Sequence, residues 1–262
     1  MFHILTCADS TFYPFALRLA KNLRLFPDCR LYLYDLGLRD TERRALEQLG
    51  VRLEKLAFTE NVFAMNSDNN IRATHKMDCI EHFLHTYKQG VLVLDADILV
   101  IEPVFASLNP RADDIVVTYR CDREKKEHIM SNGKINTGVM AFGSAVDHAF
   151  FERWRKLCED KEQTDQSALS LMLDSGVDWN RHNERQPFMG CQVRIMDGND
   201  YNDTTCRIGK IFHCKSVGRR LNKKIGYWLL CLLQQIFPVW VQNMVAYNRK
   251  QRLFVWKTKK VQ

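Results

Sequence analysis

The chain has 262 residues, 46% hydrophobic and 11% aromatic, with 38 Lys and Arg against 31 Asp and Glu. That is enough apolar material for one sizeable α/β domain, which can reach roughly 250 residues, and it excludes a disordered, collagen-like or low-complexity chain. The net charge of +7 does not mark a nucleic-acid binder, because residues 1–203 carry 25 basic and 31 acidic groups whereas residues 204–262 carry 13 basic and no acidic ones.

In chain order, residues 2–7 read as a buried strand and 14–23 as a helix. Residues 30–35 form a second strand ending before Gly37, 40–49 a helix capped by Asp40 or Thr41, and 51–53 a further extended stretch. A helix over 73–88 leads into residues 90–95, a Val/Leu run of the kind covered on both faces. Strands at 115–119 and 137–142 and helices at 145–158 and 164–174 complete the pattern. This alternation predicts a mostly parallel sheet with helices on both faces. One boundary is drawn, near 215, separating a domain of residues 1–215 from a basic, aromatic, helical appendage at 216–262.

Nine cysteines, an odd number without a CxxC pair, predict a reduced, cytoplasmic chain. The N-terminus has no basic segment followed by an apolar stretch, so no signal peptide is expected. Nor is a spanning helix, which needs about 18 uninterrupted apolar residues. The longest candidate, 225–247, is interrupted by Gln234, Gln235, Pro238 and Gln242.

The most informative segment is 91–100, where Asp95-Ala96-Asp97 lies between two apolar stretches. In open α/β sheets, ligands sit at the carboxyl ends of strands. Two carboxylates two apart on an extended chain point to one side, and such pairs bind hard divalent cations together with substrate phosphates. Two enzyme classes place Asp-x-Asp after an apolar strand. A haloacid-dehalogenase-like phosphohydrolase would use Asp95 as nucleophile, and a nucleotide-sugar transferase would use both acids to hold a metal on the donor diphosphate. The first usually opens the chain with this motif, whereas here about ninety residues of β/α pattern precede it.

From here the chain resembles a GT-A fold glycosyltransferase, most similar to the retaining glycosyltransferase family 8 that includes glycogenin and bacterial lipopolysaccharide galactosyltransferases. The resemblance runs over roughly residues 2–215. Ile4-Leu5-Thr6-Cys7-Ala8-Asp9 with Phe12-Tyr13 resembles the segment that holds the nucleotide, which implies nucleotide contacts from Thr6, Ala8, Asp9 and Tyr13. Lys76, 19 residues before Asp95, matches a basic residue facing the nucleotide. Asp95, Ala96 and Asp97 match the metal motif, Asn136-Thr137-Gly138 a strand beside the donor sugar, and Asp165-Gln166 the pair at the anomeric carbon. Tyr201-Asn202 is similar to an aromatic-Asn pair, and Ile211-Phe212-His213 to the strand delivering a third metal ligand. After His213 the chain departs from the family's His-x-x-Gly-x-x-Lys-Pro-Trp, reading Cys214-Lys215-Ser216-Val217-Gly218-Arg219-Arg220, so the diphosphate contact falls to Lys215, Arg219 or Arg220.

The resemblance implies a Mn²⁺ or Mg²⁺ ion on Asp95, Asp97 and His213, a nucleoside diphosphate sugar as donor, most simply a UDP-sugar, and transfer of a hexose with retention to a glycan or lipid-linked acceptor. Asp165 and Gln166 would be the catalytic pair. The phosphohydrolase and a catalytically silent sugar-nucleotide-binding protein remain the alternatives.

Beyond 215, basic clusters bracket Trp- and Leu-rich stretches, a composition suited to a helix in an anionic membrane interface. Packing of the same residues on the domain is the competing reading. The expectation is a peripheral protein on the inner face of the cell membrane, serving cell-surface polysaccharide or lipopolysaccharide synthesis, with no nucleic-acid partner.

Overall fold

The computed structural model describes residues 1–56, 68–161, 164–215 and 221–259, with side chains described at 1–56, 76–159, 164–215 and 225–252. The elements are β1 (Phe2–Ala8), α1 (Tyr13–Leu23), β2 (Cys29–Asp35), α2 (Asp40–Glu47), β3 (Arg52–Glu54), α3 (Asp68–Tyr87), β4 (Val91–Leu94), β5 (Ile98–Val100), α4 (Phe105–Leu108) and β6 (Asp114–Tyr119). A 3-10 turn (Asp122–Glu124) and α5 (Glu127–Met130) precede β7 (Ile135–Phe142), α6 (His148–Lys161) and α7 (Asp165–Asp174). Then come β8 (Arg185–Phe188), β9 (Cys191–Met196), α8 (Gly198–Tyr201), β10 (Ile211–His213), α9 (Leu221–Ile236) and α10 (Pro238–Lys259).

Eight strands form one sheet in the order β3-β2-β1-β4-β7-β6-β9-β8, and β5 pairs with β10 in a separate two-stranded ribbon. The pairings β1–β2, β1–β4, β2–β3 and β6–β9 are parallel, and β4–β7, β6–β7 and β8–β9 antiparallel. Alternation along the strands divides the core in two. Ile4, Leu31, Leu33, Leu92, Leu94 and Val139 face one apolar cluster, which includes residues of α1 and α9. Leu5, Tyr32, Tyr34, Val91, Val93 and Met140 face the other, built with α3, α6 and α7. Both faces are thus covered, which is why these strands are apolar runs.

Three expectations need correction. The Asp-x-Asp does not lie on a strand: β4 ends at Leu94, and the carboxylates leave a turn closed by the Ile98 N–H donating to Asp95 O at 3.1 Å. Neither Asp40 nor Thr41 caps α2. The cap is Arg39, whose backbone N–H donates to the Glu42 carboxylate at 2.9 Å, and Asp40 is already helical. Finally, the hairpin β8–β9 was not foreseen. Its turn residues, Met189 and Gly190, both have positive φ (46° and 74°), a geometry for which Asn-Gly or Asp-Gly is the usual signal.

Candidate active site

The site forms where β1 and β4, paired in parallel through Ile4–Leu92 and Leu5–Val93, end side by side. The Asp95 N–H donates to Gly138 O at 2.9 Å, tying the turn to β7. The chain then enters β5, and the β5–β10 register sets His213 opposite Ile98. The Cys214 N–H donates to Asp97 O at 3.0 Å, closing the turn from the other side. Strand pairing thus brings residue 213 to residues 95 and 97. His213 Nε2 lies 3.3 Å from Asp97 Oδ1 and 3.8 Å from Asp95 Oδ2. The three ligand atoms all fall within 4.8 Å of one another, the one such group among the described residues.

The His213 tautomer follows from its neighbours. Asn202, fully buried, donates its amide N–H groups to Thr118 Oγ1 at 2.7 Å and to Asn136 O at 3.0 Å. Its Oδ1 therefore faces His213 Nδ1, 2.8 Å away, and must accept from it. With Nδ1 committed as a donor, Nε2 is the ring nitrogen left facing the two carboxylates: it donates to them when it carries a proton and ligates a cation that displaces that proton. Carboxylate, carboxylate and neutral imidazole fit a divalent ion. Gly138 makes the approach possible, since a Cβ there would lie 2.4 Å from His213 Cε1.

Lys76 offsets part of the negative charge around these ligands. Lys76, on α3, donates to Asp95 Oδ1 at 2.6 Å and sits 3.8 Å from Asp165 Oδ2. Burial would lower its ammonium, but Asp95 and Asp165 hold it above its ordinary value. Burial pushes the Asp165 carboxyl up, with Lys76 opposing and Asp95 adding to the rise. For Asp97, burial acts upward but His213, with Lys215 beyond it, holds the carboxyl below its usual range.

The sequence model of the nucleotide-diphospho-sugar transferases matches residues 46–219, two thirds of the chain and the whole of this constellation. The chain belongs to that family. No curated protein sequence matches it. Among solved structures, the galactosyltransferase LgtC, in complex with donor and acceptor sugar analogues, aligns with a TM-score of 0.54 at 16% identity, over 76% of this chain and 74% of that one. GlyE, a glycosyltransferase of Streptococcus pneumoniae TIGR4, aligns with a TM-score of 0.56 at 14% identity, over 93% of this chain and 63% of that one. A glycosyltransferase involved in glycosylation of the major capsid of PBCV-1 gives 0.51 at 10% identity, over 87% and 98%. At these identities the likeness is one of fold, and the fold is GT-A.

In this transferase, the other residues singled out in the sequence lie in three places. Thr6, Ala8, Asp9 and Tyr13 gather at the end of β1 and the start of α1. Thr6 and Ala8 are buried, and Thr6 Oγ1 has no hydrogen-bond partner among the described residues. Asp9 Oδ1 accepts from the N–H groups of Thr11 and Phe12 at 2.9 and 3.0 Å, shaping the loop into α1. Ala96, 4% exposed, is packed in the core between the two acids. Asp165 and Gln166 open α7 behind the N-cap Thr164. Asp165 Oδ2 accepts from the Thr137 hydroxyl at 3.3 Å, and Gln166, half-buried, donates to Asn132 O at 3.4 Å.

Asn136 and Lys215 form the third group. Asn136 is 1% exposed; its Nδ2 donates to Glu124 Oε2 at 2.9 Å and its Oδ1 accepts from the Gly138 N–H at 3.1 Å. Lys215 Nζ donates to Glu124 Oε1 at 3.0 Å. Burial acts to raise the Glu124 carboxyl, but Lys215, Asn136 and Arg120 together hold it below its ordinary value. Arg219 and Arg220 lie outside the described residues.

Glu124, Thr118 and the anchoring role of Asn202 escaped the sequence reading. Each acts through a partner far along the chain; Glu124 and Thr118 sit in no motif, and the Tyr201-Asn202 pair does not disclose what Asn202 bonds.

Proposed function

We propose that this transferase moves a hexose from a UDP-sugar to a hydroxyl of a glycan or lipid-linked acceptor with retention of configuration, in the synthesis of a cell-surface polysaccharide or lipopolysaccharide. The observation that carries the reading is the Asp95–Asp97–His213 group with its imidazole proton fixed on Nδ1, within a chain of the nucleotide-diphospho-sugar transferase family. Membership of that family removes the phosphohydrolase alternative.

Leaving-group departure places negative charge on the β-phosphate and positive charge on the sugar ring. A divalent ion, Mn²⁺ or Mg²⁺, supplies charge that opposes the first when bound to Asp95, Asp97 and His213. Lys215, one-third exposed, adds a second cation at the end of β10. Lys76 and Asp165 neutralise each other beneath the site and keep its base rigid, so the half-buried Gln166 amide is the group offered to the sugar. The existence of LgtC, a galactosyltransferase of the same fold, with donor and acceptor sugar analogues supports this reading.

A thermal-shift panel of UDP-, GDP-, CMP- and dTDP-sugars with and without Mn²⁺ tests it. The expected result is stabilisation by UDP-sugars that requires the cation. Asp97→Asn should abolish both that shift and turnover, and unchanged turnover would overturn the assignment. Donor binding without turnover on any acceptor would favour the silent binding protein.

The same reading places the protein on an anionic membrane surface. In α9, Tyr227, Cys231 and Gln234 pack inward, whereas Ile225, Leu229, Leu232 and Ile236 recur on the opposite face, each 48–60% exposed. Phe237, Val239, Trp240, Met244 and Tyr247 continue this apolar surface into α10. No single described helix is long and apolar enough to cross a membrane, and α9 and α10 are bent by 117° at Pro238. An apolar face in residues 221–262, a segment with eight cations and no acids, suits a helix pair lying in the headgroup layer.

A further inference from the structure

A cavity of about 640 Å³ opens between the 3-10 turn, the loop around residues 199–208 and α10, apart from the cation site. Three arginines line it: Arg123, Arg207 and Arg252. Its one carboxylate, Asp122, is already committed to Lys125 at 3.0 Å and to Arg252. Arg123 donates one N–H to Thr204 O at 3.0 Å. Among the described residues neither Arg123 nor Arg207 pairs with an acid. Two exposed guanidinium groups therefore face an open polar space, with planar donor forks that match phosphate oxygens.

The wall carrying Arg207 is built in advance. The buried Asp203 carboxylate accepts N–H groups from Thr205 at 2.7 Å and from Arg207, Ile208 and Gly209 at 3.0 Å each, as well as the Thr205 hydroxyl. A Cβ at Gly209 would lie 2.4 Å from Asp203 Cβ, so the loop closes on its carboxylate only with glycine there. A binding residue on such a loop loses little freedom when it engages a ligand.

Two walls run into the active site. The 3-10 turn ends at Glu124, which holds Asn136 and Lys215, and Asn202, the anchor of His213, immediately precedes Asp203. The third wall is α10, which also carries the exposed apolar residues Trp240, Met244 and Tyr247. A ligand here would be anionic, would touch segments that continue into the active site and would meet the chain beside its apolar surface. We propose that this cavity holds a phosphate group of the acceptor and that the acceptor is a lipid phosphate carrying the growing glycan. This rests on the transferase reading above and names the acceptor class for it.

The full-length protein, with Mg²⁺ and UDP filling the donor site, is titrated with short-chain phosphatidic acid below its micelle concentration, the matching phosphatidylcholine, and inorganic phosphate. Phosphatidic acid is expected to bind at least about tenfold more tightly than either of the others. Arg123→Gln with Arg207→Gln should remove that preference, Arg207→Lys should keep part of it, and donor hydrolysis should be unchanged in both variants. Equal binding of phosphatidic acid and phosphatidylcholine, or wild-type preference in the double variant, would overturn the site. Inorganic phosphate binding as tightly as phosphatidic acid would overturn the lipid source. Phosphatidic acid preference in a protein that never hydrolyses a sugar nucleotide would leave the cavity standing and sink the transfer reading.

Discussion

Asn202 decides what His213 can do. Because Asn202 Oδ1 accepts from Nδ1, the ring is held with Nε2 turned to the two carboxylates, the one nitrogen that can ligate a cation there. Asn202→Leu should leave the fold intact but weaken Mn²⁺ binding about 10- to 100-fold, read by calorimetry on the donor-free protein. Gly138→Ala acts by volume: its Cβ would meet the imidazole 2.4–2.5 Å away, so the ring must move and metal-dependent turnover should fall at least as far. Asp95 and Asp97 were legible because two acids between apolar stretches make a short motif. Asn202 was not legible as an anchor, because its partners Asn136 and Thr118 lie 66 and 84 residues away. Glu124, 91 residues from Lys215, was invisible for the same reason.

At the scale of elements, α2 holds the loop after β1. Glu42 accepts from the Ser10 hydroxyl at 2.6 Å and from the Arg39 guanidinium at 2.9 Å, so the helix start and the loop after β1 share one carboxylate. Burial acts to raise this carboxyl, but Arg39 and Ser10 together bring it down to about 2 from an ordinary 4.5. Because the folded value is the lower one, the contribution is fully present above pH 4.5 and is lost as pH falls towards 2. Glu42→Gln should cost about 1 kcal/mol near neutrality, the pair being screened at an exposed Arg39, and should flatten that part of the acid unfolding curve. The apolar strands β1, β2, β4, β6 and β7 were legible because both their faces are buried. The hairpin β8–β9 was not, since its strands alternate polar and apolar residues and Met189-Gly190 is an unusual turn pair.

For the whole molecule, the tail is part of the core as well as a surface. Gln234 accepts from Asn22 at 3.0 Å and donates to Val100 O, while Phe15 packs on both Tyr227 and Trp228 with ring centroids 5.6 and 5.8 Å away. Arg249 pairs with Glu102 at 2.8 Å. Deleting 221–262 would therefore uncover α1 and strip Gln234 from Asn22 and Val100, which would keep only their bonds to each other, and should lower Tm by several degrees. Exposed substitutions separate address from stability. Leu229→Ser with Ile236→Ser and Trp240→Ser should leave Tm and donor hydrolysis nearly unchanged yet reduce sedimentation with anionic vesicles by tenfold or more. Undiminished vesicle binding would refute membrane docking through this face.

The sequence by itself determined the class of fold, the family and the three residues of the candidate cation group, because apolar periodicity and short motifs are local and survive in one dimension. Only the tertiary structure decided that the acids leave a turn rather than a strand, that Asn202 sets the histidine tautomer, that Lys76 bridges two carboxylates and that the tail is buried on one side and bare on the other. Those properties depend on groups brought together by strand order and register, and pairing between distant segments leaves no mark at either position alone.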